Sequence, residues 1–579
     1  MNAILRPDIQ HANFVATEFV NRKLDYNFTR TEKEWLRMFF SNTDCNIFAF
    51  YQSVPDAMIS YAIARYSRIK NRRGLRGIVL DDIIPYWIAS SMQEYENMAL
   101  EDIQAELKKQ NIKSVEDINK LGGSSCYHAT KIFNSFGDPN LMSGLCSTDK
   151  LKKLFNTYVD GYGHNSIVRT GKVVLCLENV SIMVAKVLEW CRFGAPIELS
   201  TRFVDFSEKR FYPIHEELCL ADSSFRGYIK RHIENKFEVY GYWMEDRENG
   251  FGAFLENRWS NKLPKDINLK SAILGETCDV LGNLLPCATL TSLGLSVSGE
   301  GLPSILEHLA LEESAECSAV RLKIIEEVEK IGAGSYLRHL DEPTESRKND
   351  WEYLDYIKPS KAYFSAESNY RVEKKLLNQF HAVGGFELIK EFKYVAEYLS
   401  KKRTSKDKLP HQFESVNVLY RDLISFRSFR DLQRHTLSTT SRSLVTPLLG
   451  FYKYPKPAPD NLRECFNGTK DVDLKMWSRL RRDNCRPKDL QYILAMGHNV
   501  IFEMSHNLRQ HELVTKTRTK WDVNDEVRDW MLKFEARVRA RFPWYGQLLS
   551  RADMTKHYLF ARGADEKKGI KMPSLKEVL

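Results

Sequence analysis

Trp190-Cys191-Arg192-Phe193-Gly194-Ala195-Pro196-Ile197-Glu198-Leu199-Ser200-Thr201-Arg202-Phe203 is the stretch on which the reading of this chain turns. Glu198, Ser200 and Arg202 are spaced i, i+2, i+4, and on an extended strand such residues share one face. The trio suits a phosphorylated ligand. Arg202 offers a planar fork to phosphate oxygens, Ser200 adds a short hydroxyl donor, and Glu198 orients the arginine or accepts from a sugar hydroxyl. A half-exposed strand carrying a surface salt bridge shows the same alternation, and spacing alone leaves both readings open.

Upstream, Val180, Val184, Val187, Leu188 and Cys191 recur at i, i+4, i+7, i+8 and i+11, which predicts a helix with one buried stripe, stopped at Gly194 and Pro196. Far downstream, Leu419, Leu423, Phe426, Phe429 and Leu432 repeat the pattern and run into Arg434-His435. Val523, Val527, Trp530, Met531, Phe534 and Val538 predict another helix with Asp522 as its N-cap. Polar, lysine-rich or helix-breaking stretches at 341–350 and 401–408 read as linkers. The first divides the chain into 1–340 and 341–579. Each half follows a similar order: amphipathic helix, Arg-containing turn into an extended segment, long variable insert, C-terminal helical region.

With 579 residues the chain exceeds one ordinary core, and 43% hydrophobic with 28% charged residues describes a globular rather than a fibrous or disordered protein. No apolar run approaches the roughly 18–20 residues of a membrane span, and the N-terminus lacks the pattern of a signal peptide, so a cytoplasmic location is expected. The eleven cysteines are scattered without C-x-x-C or zinc-like spacing; reduced thiols and no metal site are expected. A net charge of +9 is modest over this length and fits an anionic small substrate as well as a nucleic acid. The basic runs Lys70-Asn71-Arg72-Arg73 and Arg479-Leu480-Arg481-Arg482 read as solvated faces.

The opening stretch resembles the R-H-R-x-x-S-x-N-E-x-S-x-R-Y motif of flavin-dependent thymidylate synthases. Arg192, Glu198, Ser200 and Arg202 match; Trp190, Cys191, Ala195 and Ile197 replace the first Arg, the His, the first Ser and the Asn. Gly163-His164 resembles the family's upstream Gly-His pair, and Arg65-Tyr66-Ser67 its Arg-x-Ser segment. The second half keeps a different subset. Phe413-Glu414 resembles the family's Phe-Glu pair, Arg434-His435-Thr436 the start of R-H-R, and Asn507-Leu508-Arg509 its Asn-Ala-Arg, with Arg518 where a substrate-binding arginine follows. Arg442, Leu444 and Thr446 occupy the places of the Glu-x-Ser-x-Arg trio there, and Ser298-Gly299-Glu300 stands where the first half would carry Asn and Arg.

The family builds each site from more than one subunit, so the resemblance implies two tandem copies with one motif set divided between them. The implied fold is α+β, each copy a mixed sheet flanked by long helices, with the N-terminal 45 residues and the inserts near 215–265 and 452–485 packed outside. The implied activity is transfer of a one-carbon unit to C5 of dUMP, with FAD as cofactor and methylenetetrahydrofolate and NADPH as co-substrates. Arg434 and Arg518 would be catalytic; Glu198, Ser200, Arg202, Arg509 and Arg518 would bind the nucleotide; Ser67, His164, Arg192, Arg434, His435 and Asn507 would face the flavin. A homodimer would reproduce the family's four-copy assembly. Another C5 modification of a pyrimidine, free or within a polynucleotide, and a non-catalytic binding scaffold remain open, and His164 and His435 also fit structural roles.

Overall fold

The computed structural model describes residues 9–84, 166–344 and 377–560, less positions 25, 55, 69–72, 203, 219–222, 246–247, 264–267, 338–339, 341, 385–388, 405–406, 484 and 556–557. In chain order the elements used below are β1 (Ile47–Ala49), α1 (Asp56–Tyr66), β2 (Lys172–Ser181), α2 (Ile182–Leu188), β3 (Gly194–Glu198), α3 (Ser223–Met244), α4 (Leu269–Leu281), β4 (Leu290–Ser298), α5 (Gly301–Leu311), α6 (Ala315–Lys330), β5 (Gln379–Val383), β6 (Asn417–Ser425), α7 (Phe426–Gln433), β7 (Thr439–Arg442), α8 (Asp460–Arg482), β8 (Asn499–Asn507), α9 (Leu508–Arg518) and α10 (Asp525–Arg541).

The fold is α+β. Among the described residues the strands form two four-stranded sheets, ordered β1-β2-β4-β3 and β5-β6-β8-β7. Both are wholly antiparallel, not mixed as expected. In each sheet the second and third strands in chain order run the same way, but the fourth lies between them, so no parallel pair forms.

The two sheets repeat in detail. Ser181 ends β2 and caps α2 by accepting from Val184 N–H, while its own N–H and hydroxyl donate to Glu316 at the start of α6, at 2.8 and 2.6 Å. Ser425 ends β6 and caps α7 through Ser428 N–H, and its N–H and hydroxyl donate to Glu526 at the start of α10. Each serine-carboxylate pair satisfies a helix start and fixes the sheet against a long helix.

These caps correct three helix expectations. Val180 belongs to β2, and the helix begins only at Ile182. Leu419 and Leu423 lie in β6, where Val418, Tyr420 and Ile424 form the buried face. A run of β-branched, aromatic and aliphatic residues alternates with period two there, which overrides the looser 3.6-residue match. The last helix is capped by Asn524, whose side chain accepts from Glu526 and Val527 N–H, not by Asp522. Lys401 and Lys402 likewise end a helix, Ile389–Lys402, instead of belonging to a linker.

The chain divides into two units that interleave along the sequence. One, which holds the first sheet, comprises the described part of Ile9–Ser200 together with Leu290–Thr344; the other, which holds the second sheet, comprises Thr201–Thr289 with the described part of Glu345–Leu579. In the first, Trp35, Leu36, Phe39 and Phe40 join Phe48, Phe50, Ile63 and Val174 in one apolar cluster, so the N-terminal segment is core, not an external addition. In the second, Tyr420, Phe502, Trp530 and Phe534 pack with ring centroids 4.9 to 5.9 Å apart.

Within that second unit, the turns at 283–289 and 492–498 pair about a local two-fold centred on the Pro286–Ala495 bridge. Cys287 N–H donates to Leu494 O and Met496 N–H to Leu285 O, both at 2.8 Å; Ala288 N–H donates to Tyr492 O at 2.9 Å and Gly497 N–H to Asn283 O at 2.8 Å. Tyr212 and Tyr452 N–H then donate to Ala288 O and Gly497 O, at 2.9 and 2.7 Å. The helices that follow these tyrosines meet at buried Asp473 on α8, which holds Lys236 at 2.7 Å and His232 at 2.9 Å, both from α3, and His498 at 2.9 Å. The segments 215–265 and 452–485 therefore build an interior. They are not packed outside, because their carboxylate and bases need one another once buried.

Candidate functional site

All of α7 is buried, yet it carries Arg427 and Asp431 and is followed at once by Arg434. At i, i+4 and i+7 these three share one helix face. Arg434 is the C-cap residue, and the chain then turns so that Ser438 N–H donates to His435 O at 2.7 Å. Arg518 is the last residue of α9 and donates from Nε to His435 Nε2 at 2.8 Å. Arg202, in a turn beyond β3, reaches Asp279 on α4 through a two-pronged contact, Nε to Oδ1 at 3.0 Å and Nη2 to Oδ2 at 3.2 Å. Its Nη1 lies 3.5 Å from Asp431 Oδ2. Arg427 closes the set by donating to Asp279 at 2.7 Å. It passes close to Gly282, where an added Cβ would stand 2.7 Å from Arg427 Nε.

The electrostatics follow from burial and crowding. Burial would raise the Asp431 carboxyl, but the fields of Arg202, Arg434, Arg518 and Arg427 overcome it and hold it well below the usual carboxylate range. Burial would lower Arg202, yet Asp279 and Asp431 raise it. Burial, followed by the charge of Arg518, pushes His435 down to about 3, so at neutral pH its ring is uncharged and its Nε2 accepts. The guanidiniums of Arg202, Arg427, Arg434 and Arg518 here face the carboxylates of Asp279, Asp431 and Asp522. Converging guanidiniums with oriented N–H donors in a largely buried cluster can receive an anion.

Of the residues singled out from sequence, the structure gathers Arg202, Arg434, His435 and Arg518 in one unit. Asn507 and Arg509 belong to that unit but sit at the other end of α9, where Asn507 caps the helix and Arg509 pairs with Glu414. Nine residues of helix separate Arg509 from Arg518, a rise of about 13.5 Å and half a turn in phase. Glu198, Ser200, Ser67 and Arg192 belong to the other unit.

In that other unit β3 ends at Glu198, so the trio does not continue along one strand face as expected. The chain turns at Thr201, and Glu198 points inward to receive Lys186 at 2.9 Å. Ser200 N–H donates to Ser67 O at 3.2 Å, and the Ser67 hydroxyl donates to Ala64 O at 2.9 Å; Arg192 is exposed. His164 lies outside the described residues. The sequence reading missed Asp279, Arg427 and Asp431. The signal was present as Arg427-x-x-x-Asp431-x-x-Arg434, an alternating-charge face on a helix read only for its apolar stripe.

No family model matches this chain. A UPF0159 protein of Chlamydia pneumoniae is 22% identical over 532 residues, covering 85% of this chain and 89% of that protein. One of Chlamydia muridarum is 21% identical, covering 92% and 96%, and one of Thermoplasma acidophilum is 20% identical, covering 71% and 90%. This chain is thus similar, over most of its length, to bacterial and archaeal proteins of that description.

Proposed function

We propose that the chain is a tandem-duplicated relative of the flavin-dependent thymidylate synthases that transfers a one-carbon unit to C5 of a uracil nucleotide, with FAD as cofactor and methylenetetrahydrofolate and NADPH as co-substrates. One observation carries the proposal: Arg202, from the half that retains Glu-x-Ser-x-Arg, stands at Asp431 with Arg434 and Arg518, from the half that retains Arg-His and the later arginine. The repeated strand order, the two serine-carboxylate caps and the paired turns support a duplication. The donor set fits an anionic nucleotide and a flavin, since it combines converging guanidiniums with a neutral imidazole in a buried setting.

When bound, reduced flavin supplies the one-carbon transfer and the hydride. The chain's own part is binding and field. Arg202 holds a phosphate, and Arg434 and Arg518 stabilise negative charge that develops on the pyrimidine oxygens. His435, uncharged, keeps Arg518 aimed.

The test is purification with FAD followed by tritium release from dUMP labelled at C5. Arg202→Ala is expected to weaken dUMP binding by roughly 10- to 100-fold while FAD stays bound. A flavin-free preparation that ignores added FAD and releases no tritium refutes the proposal. One observation favours a second reading, a fold-stabilising cluster in a binding protein without turnover: the Arg202 fork is closed on Asp279. On that reading Arg202→Ala lowers thermal stability and leaves any nucleotide affinity unchanged.

A further inference from the structure

Behind the Arg518–His435 pair runs a buried chain of hydrogen bonds that the proposed function does not use. Ser438 Oγ lies 3.0 Å from His506 Nδ1, His506 Nε2 lies 2.9 Å from His511 Nδ1, and His511 Nε2 lies 2.8 Å from Glu535 Oε2. All four residues are buried. Burial would raise the Glu535 carboxyl, but His511, Ser550 and Arg539 reverse this and bring it to about 2, so it is a carboxylate and accepts from His511. The carboxylate takes the His511 Nε2 proton; with both imidazoles uncharged, His511 Nδ1 then accepts from His506 Nε2–H, and His506 Nδ1 accepts from the Ser438 hydroxyl. The open end, Ser438, is held at the site by its N–H bond to His435 O.

The fold contains its own control. Ser181 and Ser425 each pair with the first residue of a central strand, Leu290 and Asn499. Counting equally from these anchors and from Glu316 and Glu526, the places of Ser438, His506, His511 and Glu535 in the first sheet are held by Gly194, Val297, Leu302 and Ile325. Gly194 pairs with Val297 in that sheet, as the register requires. Val297 and Leu302 are buried and apolar, Ile325 is half-buried and Gly194 has no side chain, so the first sheet stands without any polar chain at these places. A buried polar chain is more demanding to build than its apolar equivalent, which argues that the second sheet keeps its chain for chemistry.

We propose that Ser438, His506, His511 and Glu535 form a proton-accepting relay that removes the C5 proton of the pyrimidine held at Arg202, Arg434 and Arg518. The inference rests on the proposed function for the identity of that donor. Substitution at C5 requires the C5–H bond to break, leaving its electron pair in the ring. Its proton passes to Ser438 Oγ as the hydroxyl proton passes to His506 Nδ1 and the Nε2 proton of His506 passes to His511 Nδ1. Ser438 and His506 each gain one bond to hydrogen as they lose another, C5 loses one and His511 gains one, no oxidation state changes, and the positive charge comes to rest on His511 against Glu535, the role an aspartate plays for a catalytic imidazole. Ser438 is the catalytic residue; His506, His511 and Glu535 act through it.

The experiment installs the first-sheet residues as Ser438→Gly, His506→Val, His511→Leu and Glu535→Ile together, with Glu535→Gln as an isosteric single change in case the fourfold variant does not fold. Folded variants that bind FAD and dUMP with unchanged affinity but release tritium at least about 100-fold more slowly, with the loss in kcat and not KM, support the relay; normal turnover in either overturns it. A second arm needs no activity: nitrogen NMR of isotope-labelled histidines is expected to show His506 and His511 protonated at Nε2. If the wild-type protein releases no tritium, the proposed function fails and this arm alone decides. Protonation of His506 at Nδ1 means the chain runs the other way and sinks the relay.

Discussion

Asp431→Asn tests the central cluster without changing its shape. The carboxylate is buried and faces Arg202, Arg434, Arg518 and Arg427, of which Arg202 and Arg427 also reach Asp279. Removing one partner of a buried ion pair typically costs about 3–5 kcal/mol, because the cations left behind remain desolvated. At roughly 2 °C per kcal/mol for a unit of this size, the fall in Tm is about 6–10 °C. The folded carboxyl sits far below its unfolded value of about 3.9. Its contribution is therefore fully present above about pH 5 and is lost as pH falls through the unfolded value toward the folded one. The gap between wild type and variant should be complete at pH 7 and should close in acid. Phosphate gives the sharper readout, since uncompensated guanidiniums bind anions, and a ligand at 100 times its Kd adds about 2.7 kcal/mol. Scanning calorimetry with and without phosphate should show a larger phosphate gain in the variant than in wild type. Equal gains, or no loss at pH 7, refute the view that Asp431 balances converging cations.

Gly282→Ala places a methyl group against Arg427 Nε and Cys278 O, and should destabilise by about 1–3 kcal/mol. Combined with Arg427→Ala, the two losses should fall short of their sum in denaturant titrations; strict additivity means the methyl never meets the guanidinium. Ser425→Ala removes the hydroxyl that donates to Glu526 and accepts from Ser428 N–H, leaves the backbone N–H bond to Glu526 in place, and should cost about 1–3 kcal/mol, and Ser181→Ala should do the same at Glu316 and Val184 N–H, each measured by urea denaturation. A near-neutral result in one and not the other would show that the two caps are not equivalent.

The sequence made parts of this visible and hid others for physical reasons. The position of α10 was legible from its apolar period, whereas the α+β class and the singling out of Arg202, Arg434, His435 and Arg518 came with the family resemblance rather than from any local periodicity. Strand β6 was hidden: Leu419 and Leu423 fit a helical stripe as well as a sheet, and the alternation of Val418, Tyr420 and Ile424 decides only once β8 pairs beside it. Asp279 was hidden because it meets Arg202 and Arg427 from 77 and 148 residues away, and nothing local announces such a partner. Nothing local in the sequence joins His506 and His511 to Glu535, one helix later.

The paired turns at 283–289 and 492–498 set a condition on how the polypeptide can be made. A segment encoded before residue 290 completes the body that carries the second sheet, so neither half is a self-sufficient module that could be expressed, shuffled or lost alone. Each would display backbone donors and acceptors matched to the other. Separate genes for the two would have to rebuild, by encounter in solution, a union that a single reading frame guarantees.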